Sequence, residues 1–393
     1  MNGARVSGPR FNLAEGVLQR PYRTWVEVSL RQIADNFDAI RNVVTPSVEV
    51  MPVVKGNACG HGVVEVATAL CARGARWLAV SSVEEGVTLR QAGIKARILV
   101  LADFLPWSRA AAIQHSLTPV LYDLADLKVW DRLNESAGQV GNYHLKTDSG
   151  LWRLGTREAA SDIVSAIRAC PHIRLEGLMT HFAAAADYSS SQTEEQIACF
   201  LQLAAGLAES NVRPRYLHMA GTVPVAYRRT EAWQTLVRPG HAIYGYVAPA
   251  SGADAPPRAL SVRPVLTWKA SILSIKDVPP GARIGYRGTY CAPAPMRIAV
   301  IAAGYADGIP HQLANRGMVI AGGKLVPIVG AIAMDLTIVD ITASPHLQAG
   351  DVVTVLGSEG GVSIDAQQLG ELAGTSSYSV LCGITQRVTR VYV

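Results

Sequence analysis

The chain has 393 residues, 49% of them hydrophobic and 17% charged, with 35 glycines and 21 prolines. That is material for about two well-packed domains, and it excludes a disordered, collagenous or low-complexity chain. The formal net charge of +5 comes from scattered arginines, with no run of five basic residues; this argues against nucleic acid as a partner and fits small anionic ligands.

Residues 1–21 read as a polar tail. Arg5, Arg10, Glu15 and Arg20 interrupt it where a signal peptide would be continuously apolar. No later run reaches the roughly 18 apolar residues of a membrane span, so no membrane association is expected. The six cysteines (Cys59, Cys71, Cys170, Cys199, Cys291 and Cys382) are widely spaced without a C-x-x-C pair. They read as reduced thiols of a cytoplasmic protein, not as a disulfide frame or a metal site.

Within residues 22–248, Trp25–Leu30 (WVEVSL) alternates like a strand. Eight apolar runs follow: Val48–Val54, Trp77–Ser82, Ala96–Asp103, Leu117–Asp123, Tyr143–Asp148, Leu175–Phe182, Pro214–Ala220 and Leu236–Tyr244. Helical spacing separates them at Gly62–Gly74, Val83–Gly93, Thr156–Ala169 and Thr193–Ser210. Eight strands alternating with helices predict an α/β fold, a (β/α)8 TIM-type barrel. A doubly wound sheet is the rival, weakened by the lack of G-x-G-x-x-G after the first strand.

Residues 249–258 read as a linker from their Pro, Ala, Gly and Ser content. Residues 259–393 predict a mostly β domain, with strands over Val265–Ile275, Met296–Ala303, Met318–Ile320, Leu325–Ile341, Asp351–Leu356 and Arg387–Val393. One short helix, Asp365–Ala373, is expected there with Asp365 as its N-cap. WVEVSL is expected to pair with this domain.

In such a barrel the active residues gather where strands end. Lys55 follows the first run in VVKGNACGHG, and a poorly solvated lysine there would supply a free amine able to condense with an aldehyde. Later strand ends carry HLKTDSGLWRLG, GLMTHFAAAAD, HMAGT and VRPGHAIYGY. The blander reading of Lys55 is a side chain snorkelling to water.

VVKGNACGHG is similar to the pyridoxal-phosphate lysine motif of the alanine racemase family, K-A-N-A-Y-G-H-G. DSGLWRLG, THFA, VRPG with a following YG, GYRGTY, GYADG, IVGAIAMD and YSVLC resemble that family's other motifs in the same order. The resemblance spans nearly the whole chain. It implies a PLP-binding barrel, a C-terminal β domain and a homodimer with shared active sites, interconverting L- and D-alanine and supplying D-alanine for cell-wall synthesis. It also implies the roles of single residues. Lys55 binds PLP and is the base on one face, and Tyr286 of the partner subunit is the base on the other. His181 hydrogen-bonds Tyr286, and Arg238 backs His181 while facing the ring nitrogen. Thr222, Gly240, His241 and Tyr378 hold the phosphate. Arg153 and the Met334 amide take the substrate carboxylate, and Lys146, often carbamylated in the family, orients Arg153; a plain Lys146–Asp148 pairing is the alternative.

The chain departs from the family pattern at several of these places. Cys59 stands where a phosphate-binding tyrosine is usual, Gly221-Thr222 replace Asn-Ser, and Leu151-Trp152 replace Met-Gly. His311 follows GYADGIP in place of a common arginine, and Ala333 replaces a common cysteine. Looser cofactor binding or a shifted substrate range is the expected consequence. A racemase of serine or of a broader set of amino acids, and a non-catalytic PLP-binding protein, are the alternatives; a PLP decarboxylase is disfavoured by Arg238.

Overall fold

The structure, a computed structural model, describes residues 22–393; the expected tail 1–21 lies outside the described residues. Strand β1 (Thr24–Val28) leads into a helix, Leu30–Val43, whose N-cap Ser29 accepts from the Gln32 amide. Eight parallel strands follow: β2 (Glu49–Val50), β3 (Trp77–Val80), β4 (Arg97–Val100), β5 (Thr118–Leu121), β6 (Gly141–Lys146), β7 (Ile173–Met179), β8 (Tyr216–His218) and β9 (Leu236–Val237). They fall on the eight predicted runs, six of them shortened and two, β6 and β7, beginning two residues before the run and ending before its close.

β3 to β8 form one parallel sheet, and β2 pairs with β9. Backbone bonds close both seams. Ala79 donates to Pro52 and Val54 to Ala79 on one side, at 2.9 and 2.8 Å, and Arg238 donates to Ala220 on the other, at 2.8 Å. The strands are buried on both faces, as a parallel sheet covered by helices requires. Trp77, Leu99, Val120, Met179 and Tyr216 pack inside the barrel.

The remaining strands are β10 (Leu266–Val278), β11 (Arg283–Ile284), β12 (Tyr290–Cys291), β13 (Met296–Ile301), β14 (Met318–Ala321), β15 (Lys324–Pro327), β16 (Thr337–Asp340), β17 (Val352–Glu359), β18 (Val362–Ile364) and β19 (Thr389–Tyr392). β10 is the hub, antiparallel to β1, β13 and β17. β1 also pairs in parallel with β19, so the early WVEVSL stretch does join the β domain. No helix among the described residues is long and apolar enough to cross a membrane.

Four expectations need correction. The run Leu325–Ile341 is two strands, β15 and β16, split by a loop over 328–336. The run Leu236–Tyr244 stops as a strand at Val237, because Pro239 cannot donate to a ladder, and a single 3-10 turn takes His241–Tyr244. The Thr156–Ala169 helix begins only at Ala160, since Thr156 bridges Thr147 beside a left-handed Gly155. The single C-terminal helix is two, Ala366–Ala373 and Ser377–Gly383. The first has the predicted cap: Asp365 accepts from the Gln367 and Gln368 amides and its own amide donates to Gln368 Oε1.

Candidate active site

The chain after β2 makes a turn of unusual hand. Gly56, Asn57, Ala58 and Cys59 have φ of 65°, 52°, 55° and 50°, a left-handed coil that costs about 1–2 kcal/mol for each residue with a Cβ. Side chains hold it in place. Glu85 Oε1 accepts from the Gly56 amide at 2.6 Å and the Asn57 amide at 3.3 Å, and Asn57 Oδ1 accepts from Val63 at 2.8 Å. His61 Nδ1 donates to Ala58 O at 2.8 Å while its ring stacks on Tyr244. Lys55 opens this turn and is exposed at the barrel mouth. The expected poor solvation of Lys55 is therefore wrong: the turn lifts it clear of the apolar strand.

The amine held out of water is that of Lys146, at the end of β6. It is buried, and burial, then Arg153 and Arg238, push its pKa down to about 8. The alternative pairing with Asp148 does not form among the described residues. Asp148 Oδ1 accepts instead from the Gly150, Leu151 and Trp152 amides at 3.0, 2.9 and 3.1 Å. Burial works against its charged form, yet those amides and Arg157 hold its carboxyl below the usual range. The loop so pinned presents Arg153, exposed and with no ion pair among the described residues. Trp152 beside it is exposed, with Arg157 stacked over its ring at 4.1 Å.

Arg238, just after β9, is 5% exposed and has no carboxylate partner among the described residues. Its Nη1 donates to His218 Nδ1 at 2.7 Å and its Nη2 to Thr180 O at 2.7 Å. His181 Nδ1 lies 3.4 Å from Nη2. Burial pulls Arg238 down to about 9, which leaves it charged at neutral pH. Because a guanidinium only donates, His218 Nδ1 must accept. A neutral His218 then carries its proton on Nε2, 2.8 Å from His144 Nδ1, and His144 carries its own on Nε2, facing Glu176 at 3.9 Å. Burial keeps both rings neutral: His144 is lowered to about 3 and His218 also falls well below the ordinary value. His181, exposed at the mouth, is lowered too, by desolvation first and then by Arg238, Lys146, Arg153 and Lys55. Its Nδ1 accepts from Arg238, so Nε2–H is left to donate outwards.

Thr222 Oγ1 accepts from the Gly240 and Ala242 amides, both at 3.2 Å, which draws the starts of two short helices together. The Tyr378 ring stacks on His241 at 3.6 Å. The sites expected from the sequence in the barrel thus share one mouth: Lys55, Lys146, Arg153, His181 and Arg238 act on one another electrostatically, with Thr222, Gly240, His241 and Tyr378 on the β9 side.

Tyr286 and Met334 are not brought to this mouth by their own chain. Tyr286 follows Gly285, whose φ of 76° lets the turn press on Gly330 and Ala331 at the start of the Met334 loop. Asp335 fixes that loop by accepting from Arg387 at 2.6 Å. Tyr286 is 71% and Met334 52% exposed, and Tyr286 makes no hydrogen bond among the described residues. His311 lies against Tyr305, ring centroids 6.2 Å apart, on the same domain.

Sequence reasoning missed His144 and His218. The signal was there: His144 and Lys146 are two apart on β6 and so share the inward face. Gly177 on β7 makes room for the His144 ring, since a methyl group there would come within 2.4 Å of Nδ1.

Family models for the alanine racemase N-terminal and C-terminal domains match residues 28–248 and 265–392. The alanine racemase of Halothermothrix orenii is 36% identical over 370 residues, 94% of this chain and 96% of that protein. The crystal structure of alanine racemase from D-cycloserine-producing Streptomyces lavendulae matches with a TM-score of 0.89 at 32% identity, covering 95% of this chain and 98% of that one. That of Bartonella henselae, with covalently bound pyridoxal phosphate, matches with a TM-score of 0.83 at 26% identity, covering 95% and 100%.

Proposed function

The chain belongs to the alanine racemase family, and on that premise we propose that it interconverts L- and D-alanine with pyridoxal phosphate, at a site completed by a second copy of the chain. The observation that carries this reading is the buried Arg238, a cation without a carboxylate at the floor of a mouth that also presents a lysine amine.

The residues fit the cofactor by the chemistry of their donors. Lys55 Nζ is an accessible amine for an aldehyde. The amides of Gly240 and His241, the Thr222 hydroxyl and the Tyr378 hydroxyl suit a phosphate dianion. Arg238 would face the ring nitrogen as a donor that keeps its proton. When bound, the cofactor supplies an electron sink for a Cα carbanion, and a guanidinium at the nitrogen restrains that sink, which disfavours decarboxylation and transamination.

Racemisation breaks Cα–H on one face and remakes it on the other, so two bases must flank one plane. Lys55 takes or returns the proton on its face. Tyr286 of a second copy does so on the opposite face, and its exposed position on a turn packed against Gly330 and Ala331 suits delivery across an interface. His181, neutral with Nδ1 committed to Arg238, offers Nε2–H to the Tyr286 oxygen and favours the phenolate. Arg153 takes the substrate carboxylate in a two-pronged contact, with the Met334 amide of the second copy beside it. Lys146, partly neutral, combines with CO2 to give a carbamate and a proton, and the new negative charge holds Arg153 in place.

A broader substrate range is favoured by one observation. A Cβ built on Gly221 meets nothing closer than 3.8 Å, with His181 and Arg238 as its neighbours, so the space an asparagine would fill is open.

Proton NMR of L-alanine with cofactor-loaded protein in heavy water tests the reading. Loss of the Cα proton together with appearance of D-alanine is the expected result. Exchange on serine but not alanine moves the reading to the broader racemase, and no exchange on any amino acid leaves a cofactor-binding protein.

A further inference from the structure

Cys59 closes the left-handed turn that begins at Lys55, and Cys382 lies on the helix Ser377–Gly383. The two segments are packed together without clearance: a methyl group on Gly60 would sit 2.5 Å from the Leu381 carbonyl oxygen, and one on Gly56 would lie 3.9 Å from Cys382 Sγ. This contact sets Cys59 and Cys382 on facing sides of the seam, close enough for each thiol to bias the ionisation of the other. They differ in access, since Cys59 is buried and Cys382 exposed. Cys199 and Cys291 are exposed as well.

We propose that Cys59 and Cys382 are a redox-sensitive dithiol that closes to a disulfide when the protein meets a hydroperoxide, cross-linking the Lys55 turn to the helix that carries Tyr378. Cys382 is the attacking sulfur. The neighbouring Cys59 thiol and the nearby Lys55 charge both favour its thiolate, whereas Cys59 is pushed up by Cys382 and by burial and stays a thiol. The Cys382 thiolate attacks the outer peroxide oxygen, the O–O bond breaks, and the leaving alkoxide takes a proton as an alcohol, or as water from hydrogen peroxide. Cys382 is then a sulfenic acid. The Cys59 sulfur attacks it, the S–S bond forms, the S–O bond breaks, and the hydroxyl leaves with the Cys59 proton as water. The dithiol loses two electrons and the peroxide gains them. A dithiol reductant reverses the cross-link. Because the turn holds Lys55 and the helix holds Tyr378, closure reaches both ends of the proposed cofactor site.

The pairing stands on the two thiols and not on the racemase reading. Cofactor-loaded protein is treated with hydrogen peroxide, blocked with an alkylating agent and mapped by mass spectrometry without reduction. The expected main product is a Cys59–Cys382 linked peptide that disappears with dithiothreitol, with cofactor absorbance shifting and returning in step. Cys382→Ser removes the link while Cys199 and Cys291 react as before. Sulfinic acid on Cys382 with Cys59 still alkylatable overturns the proposal, as does alkylation of both thiols after treatment at the rate seen before it. A linked protein that never racemises alanine would retain this inference and discard the catalytic one.

Discussion

Lys146 concentrates the chemistry of single residues at this site. Its amine is buried among cations and lowered to about 8, so CO2 uptake should rise as pH climbs through about 8. Carbon-13 NMR in labelled bicarbonate should show one carbamate signal, absent from Lys146→Gln, and that variant should raise KM for alanine about tenfold with a smaller change in kcat, as expected when a carboxylate-binding arginine loses its support. Gly221→Asn should narrow the substrate range, lowering kcat/KM for serine more than for alanine, because it fills the space beside His181. Most of these residues were legible in the sequence, since each sits at a strand end inside a motif. Two things were not. Lys55 looks desolvated after its apolar strand, but a left-handed turn exposes it, and no local rule announces such a turn with Ala58 and Cys59 in it. Lys146 and Asp148 look like a surface pair, but Asp148 is consumed by three amides of its own loop.

The turn from Lys55 to Cys59 is the element on which the site depends most, and Glu85 reaches it from the helix Val83–Gln91. Glu85→Ala leaves two strained amides without their acceptor. It should lower unfolding free energy by about 1–3 kcal/mol and weaken cofactor retention, read by denaturant titration and by dialysis. Gly177→Ala drives a methyl group into the His144 ring and should cost about 1–3 kcal/mol, with no compensation from outside the barrel. Element existence was legible from periodicity, and the Asp365 cap from its residue type. The split of Leu325–Ile341 was not, because IVGAIAMD is apolar enough to read as strand while its backbone turns back towards Gly285. The helix Ser377–Gly383 escaped for the opposite reason, its short Ser-rich start giving little apolar spacing.

At the scale of the molecule, buried histidines set the response to acid. His61 is lowered to about 4 and His144 to about 3, both chiefly by burial. Their folded values lie below the unfolded value near 6.5, so the unfolded chain binds protons first and stability falls as pH drops below about 6.5. Thermal unfolding should therefore be nearly level from pH 7 to 8 and decline from 6.5 towards 4, with a shallower decline in His144→Asn if that variant keeps the barrel. The two-part architecture and the strand pairing of WVEVSL were legible in the order of patterns. Tyr286 and Met334 are exposed on the β domain, so the proposed site needs a second copy of the chain to bring them to the barrel mouth. A mixing experiment addresses that directly. Lys55→Ala and Tyr286→Phe proteins, each expected to be inactive alone, are unfolded together, refolded with cofactor and assayed for alanine racemisation. A site shared across a two-fold dimer restores about a quarter of the wild-type rate, because half the dimers are mixed and each of those has one complete site. No recovery, in a mixture shown to contain mixed dimers, would contradict the shared site.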